Sequence, residues 1–135
     1  MKSFVLVIFA IGAMYIQTFA QNEREFTFKQ GDSVYVMKRY IFCLLKSGPT
    51  RSQDSVEAAQ IQQKHLNHIF NLVQQKKVVM AGPFDGETAN RGILIFDVET
   101  VDEAVKLESE DPAVKAGRLV IEALPWWAAK GSVLP

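Results

Sequence analysis

The chain has two histidines, His65 and His68, and their surroundings differ. When residues 58–73 are projected as a helix at about 100° per residue, His65 falls among Ile61, Leu72, Ala58, Ile69 and Leu66 within an arc of roughly 140°. A titratable ring on the core side of an amphipathic helix is one of two things. It is a hydrogen-bonded packing residue, or a group kept out of bulk water to move protons near its usual pKa of about 6.5. His68 lies at the margin of the stripe and reads as solvated. Three residues apart on one helix, the two rings could supply half of a metal site. The chain has no further histidine and its acidic residues are scattered along the sequence, so no metal is expected. Arg51 and Ser52 sit in a loop after a strand pattern, where a guanidinium either holds the carboxylate or phenolate of a small substrate or is simply solvated. Cys43 lies in an apolar strand pattern and reads as a buried, inert thiol. Ser52 and Ser55 are placed for capping or loop bonding, so no nucleophile is offered beside His65. With no P-loop, dinucleotide fingerprint or haem motif, no cofactor is expected.

The elements that must position these groups follow from punctuation and period. Residues 34–45 are β-branched, aromatic and aliphatic, and 40–45 read as a central strand covered on both faces. After a loop broken at Ser47-Gly48-Pro49, Asp54 with Glu57 has the form of a capping box, predicting a helix to about Gln75, where Lys76-Lys77 suit the C-terminus by charge. Residues 78–81 form a short strand stopped by Gly82-Pro83, and 92–96 return as a third strand paired with it. Thr100 with Glu103 opens a second helix to about Ser109, and Asp111-Pro112 restarts a helical turn that Gly117 ends. Residues 118–124 make a fourth strand, closed by Pro125-Trp126-Trp127, with both tryptophans read as packing residues. The order β-α-β-β-α-β is that of an α+β, ferredoxin-like fold: a four-stranded antiparallel sheet with both helices on one face. Either Tyr40, Phe42 and Leu44 or Ile41, Cys43 and Leu45 then occupy the helix-free face. An apolar face that one chain leaves bare predicts a homodimer through the sheet.

At 135 residues and 48% hydrophobic content the chain supports one domain. Lys2, the apolar run 4–16 and Thr18-Phe19-Ala20 have the form of a secretory leader cut after Ala20, so the protein is expected to be exported, to periplasm or medium, with no membrane contact once the leader is gone. Fifteen basic residues less Lys2 leave 14 against 15 acidic, a charge near −1 that gives no reason to expect a nucleic acid partner. The expected organisation is a signal peptide at 1–20, a flexible arm at 21–33, the folded domain at 34–128 and a tail at 129–135.

Several ordered stretches, His65-Leu66, Val78-Val79-Met80-Ala81-Gly82-Pro83-Phe84, Gly92-Ile93-Leu94-Ile95, Val101-Asp102-Glu103-Ala104, Asp111-Pro112 and Leu124-Pro125-Trp126, resemble the YCII-related family of the dimeric α/β-barrel superfamily. The resemblance spans about residues 39–128. It implies a ferredoxin-like protomer, dimerised through its sheet into an α/β barrel, with a pocket between helices and sheet that holds a histidine and an aspartate. Carried onto this chain, these are His65 and Asp111, although Asp111 is also explained as a helix cap. Arg51, Ser52, Gly82 and Pro83 complete the expected site as substrate-binding residues. The activity implied is proton transfer on a small, aromatic or quinone-like molecule, as in a lyase or isomerase. The alternative is a non-catalytic ligand-binding or stress-related module, which a sealed His65 would favour. Two positions depart from the family pattern. Lys76 stands where relatives have glycine, and Ala113 where they often carry an aromatic residue.

Overall fold

A computed structural model describes residues 24–135. The expected leader, 1–20, lies outside them. The elements are β1 (Glu25–Gln30), β2 (Ser33–Ser47), α1 (Ser55–Gln74), β3 (Val78–Pro83), β4 (Asn90–Phe96), α2 (Val101–Glu108), α3 (Pro112–Lys115) and β5 (Leu119–Ala129). All strand pairs are antiparallel. Fifteen residues long, β2 takes two neighbours along one edge, β1 beside Ser33 to Lys38 and β4 beside Ile41 to Lys46, and β5 along the other. The order β5-β2-β4-β3 is the ferredoxin-like sheet, and β1 extends it. Among the described residues no helix is long and apolar enough to cross a membrane.

Each expected helix start is occupied by its cap. Asp54 accepts from the Glu57 amide, Thr100 from Glu103 and Asp111 from Ala113. The end of α1 explains the missing glycine. The Lys77 amide donates to the Leu72 carbonyl and the Lys76 amide to Val73, the paired bonds of a Schellman motif, with Lys76 itself at φ 58° where glycine is usual.

Two expectations are corrected. Residues 21–33 were expected to form a flexible arm, but Glu25–Gln30 pairs with β2 around a two-residue loop, Gly31-Asp32, with Gly31 at φ 57° as a tight hairpin requires. The fourth strand continues through Pro125 to Ala129, because β5 is an edge strand, the place in a sheet where proline is tolerated.

The helices decide which set of strand residues is core. Ile41, Cys43 and Leu45 pack with Leu72, Leu94, Phe96 and Ala104 beneath α1 and α2. Tyr40, Phe42 and Leu44 face the other way, opposite Trp126, Leu124 and Glu122 on β5.

Candidate functional site

His65 points from the apolar face of α1 and is 8% exposed. The other half of the arrangement comes from the α2–α3 junction. Asp111 is fully buried there, with Pro112 directly after it holding the first turn of α3. One Asp111 oxygen, Oδ1, accepts the Ala113 amide at 2.7 Å, and Oδ2 lies 2.5 Å from His65 Nδ1. The same carboxylate therefore caps a helix and binds a histidine. Burial is the largest influence on Asp111 and works to raise its pKa, but the bonds from His65 and the Ala113 amide together outweigh it and hold the carboxyl below its usual range. An ionised Asp111 can only accept, so Nδ1 of His65 carries the proton in this contact.

Between α1 and the ends of β2, β3 and β4 lies a cavity of about 390 Å³, within the usual range for small-molecule sites. His65, Arg51, Gly82 and Pro83 line it. Asp111 lies behind His65, away from the lining. Ser52 is exposed in the loop and does not line the cavity either. Two further arginines, Arg91 and Arg118, do, and the apolar wall includes Leu45, Leu66, Ile69 and Leu94. Neither tryptophan reaches it: Trp126 stacks near Tyr40 and Phe42 on the helix-free face, and Trp127 meets Phe26 edge to face at 4.9 Å. Cys43 is fully buried, and burial, followed by the nearby Glu108, pushes its thiol up to about 12, so no thiolate is available.

One residue of the cluster was missed. Glu108, in the last turn of α2, has no exposed surface, and neither of its oxygens has a hydrogen-bond partner of good geometry. Burial, followed by the adjacent Asp111, pushes it up to about 9, so at neutral pH it is a carboxylic acid. His68 is not simply solvated as expected. Its Nε2 is buried and lies 3.8 Å from Glu108 Oε2. The acidic residues are thus less scattered in space than along the chain: ligand atoms of His65, Glu108 and Asp111 lie within 4.8 Å of one another. The 2.5 Å contact between His65 and Asp111 is a hydrogen bond, too short for a cation to be shared between those two atoms. A signal for Glu108 was present in the sequence, since it follows the buried Ala104 by four positions and so shares its helix face.

An α+β domain with a buried His–Asp pair at the wall of a small cavity defines the class. Within it, the chain belongs to the YCII-related domain family, whose sequence pattern matches residues 40–127. The curated proteins contain no match. Among solved structures the chain is similar to 5-chloro-2-hydroxyhydroquinone dehydrochlorinase from Burkholderia phenoliruptrix, solved with 2,5-dihydroxybenzoquinone, at 21% identity and a TM-score of 0.49, covering 64% of this chain and 92% of that one.

Proposed function

We propose that the protein is a cofactor-independent acid–base enzyme of the lyase or isomerase kind, acting on a small molecule, aromatic or quinone-like bodies included. The observation that carries this reading is the 2.5 Å contact of buried His65 Nδ1 with Asp111 at the cavity wall. His65 Nε2 takes a proton from a carbon beside an electron-withdrawing group, and the electron pair of the broken C–H bond stays on the substrate. Asp111 fixes the tautomer and stabilises the imidazolium. The ring then returns its proton to another atom of the substrate, an isomerisation, or the electron pair expels a leaving group, an elimination. His65 is neither sealed nor unpaired, the conditions under which a module that only binds a ligand would be the better reading.

Gly82 and Pro83 form the cavity wall on β3 that backs the substrate, while Ser52 belongs to the loop that carries Arg51. The working unit on this reading is a homodimer joined through the helix-free sheet face, and the chain is exported after cleavage of 1–20.

Two measurements test the chemistry. Long-range proton–nitrogen NMR should show a single Nδ1–H tautomer for His65 and a mixture in Asp111→Asn. Candidate carbon acids incubated in heavy water should exchange their protons at a rate that His65→Ala lowers by about 10²–10⁴. Exchange that is equal in the two proteins would remove His65 from the reaction.

A further inference from the structure

Among the described residues, three arginines line the cavity, and no aspartate or glutamate does. Their meeting is imposed by the sheet. The C-terminal end of β2 pairs with the start of β4 on one side, Lys46 opposite Asn90, and with the start of β5 on the other, Ser47 opposite Leu119. Arg91 is the residue passed over where the β2–β4 register shifts between Leu45 and Lys46, Arg118 immediately precedes β5, and Arg51 lies in the loop that leaves β2. Such a bulge frees a side chain from strict strand alternation.

The loop and Arg118 are laced together. The Gly48 amide donates to the Arg118 carbonyl at 2.7 Å, the Thr50 amide to the Gly117 carbonyl at 3.0 Å, and Arg51 Nη1 reaches the Arg118 carbonyl at 3.2 Å. Each guanidinium has five N–H donors. Here Arg51 uses one on the Arg118 carbonyl, Arg118 uses one on Gln53 Oε1 at 2.8 Å, and Arg91 uses one on the Thr88 carbonyl at 3.4 Å. Among the described residues, the ion pairs are made by Arg24, His65, His68 and several lysines, and none by Arg51, Arg91 or Arg118. In a chain of balanced charge, three cations share one cavity with no acidic side chain among the described residues lining it.

We infer that the substrate is a small organic carboxylate, held through its anionic end by Arg51, Arg91 and Arg118, with its apolar body against Leu45, Leu66, Ile69 and Leu94 below His65. This deepens, and rests on, the acid–base reading of His65. A guanidinium binds a carboxylate in two parallel hydrogen bonds, which fixes orientation as well as charge. The apolar wall distinguishes the organic acid from an inorganic anion, which would leave that wall uncovered. Anchoring the acid at the arginine end places the rest of the molecule along the cavity toward the His65 ring, the geometry a proton transfer needs.

Calorimetry on the full-length protein with benzoate, its neutral isostere benzamide and inorganic phosphate tests the inference. Benzoate should bind at least about tenfold more tightly than either of the others. Arg118→Gln and Arg51→Gln should each weaken benzoate by about tenfold or more and leave benzamide unchanged, while Arg118→Lys retains part of the affinity. Arg51 is exposed, so its variant keeps the test valid if Arg118→Gln fails to fold. Benzoate and benzamide binding alike, no benzoate binding, or phosphate matching benzoate would each overturn the inference. His65→Ala separates the two readings. It should keep benzoate affinity while losing proton exchange, so loss of the arginine effect counts against the substrate class, and unchanged exchange in His65→Ala counts against the acid–base reading.

Discussion

Glu108 sets the charge balance behind the His65–Asp111 pair. The groups facing it are Asp111, His65 and His68, with the Cys43 thiol beneath. Because its pKa in the fold, about 9, lies far above the ordinary 4.5, the folded state favours the protonated form. The stability this contributes is fully present below about pH 4.5 and is lost as the pH rises toward about 9. Glu108→Gln stays neutral throughout, so its melting temperature should exceed that of wild type by an amount that grows from pH 5 to 9 and then levels off, reaching more than about 4 °C at pH 8.5. A difference that does not change with pH would show that Glu108 ionises like an exposed glutamate. The residues of this cluster were unequally legible. His65 announced itself by its place in an apolar stripe, whereas Asp111 was accounted for by capping alone and came into the site only through family resemblance. Its two oxygens do both jobs, which a one-dimensional pattern cannot display. Glu108 sits among Ser109, Glu110 and Asp111, a run that reads as solvated unless its phase with Ala104 is followed.

The elements were legible where local chemistry is decisive and obscure where it is shared. Capping residues Asp54, Thr100 and Asp111 mark their helices because only a side-chain oxygen at those positions satisfies the free amides. The hairpin of β1 is obscure in the sequence although Phe26 and Phe28 alternate with polar residues and Gly31-Asp32 is a two-residue turn, because polar residues outnumber apolar ones in that stretch. Lys76 shows the opposite case, a motif completed by the wrong residue. An L side chain in the left-handed region costs about 1 kcal/mol, and the Lys76 side chain is exposed. Lys76→Gly should therefore stabilise the protein by about 0.5–1 kcal/mol, read as a higher urea midpoint at unchanged slope. Gly48 is the reverse. A Cβ there would run into the Gly117 carbonyl oxygen, and both are backbone-bonded in the join that holds the Arg51 loop to Arg118. Gly48→Ala should cost about 1–3 kcal/mol and weaken benzoate binding along with it.

For the molecule as a whole, the open question in the sequence was which face of the sheet lies bare, because both alternation sets of residues 40–45 are apolar. Only the helices break the tie. With Ile41, Cys43 and Leu45 beneath them, the helix-free face presents Phe42 and Leu44 together with Leu124 and Trp126, which are 45% and 43% exposed, and β2 adds Val34 and Val36 on the far side of Lys38. Exposed apolar side chains grouped on one sheet face are what an obligate partner covers, and such interfaces commonly bury more than about 2,000 Å². The two faces give opposite mutational outcomes. Phe42→Glu puts a charge on the proposed seam, where the free protomer can hydrate it, so the variant should fold with wild-type circular dichroism and elute as a monomer at about 10 μM. Cys43→Glu puts the same charge in a fully buried site beside another acidic residue, Glu108, where it loses its hydration, and should leave little folded protein. Light scattering that finds wild type and Phe42→Glu at the same monomeric mass would mean that the face is free surface, and the benzoate site must then be complete within one chain. A shift from dimer to monomer in Phe42→Glu, with benzoate affinity retained, would place the seam on the sheet and the site on its helix side.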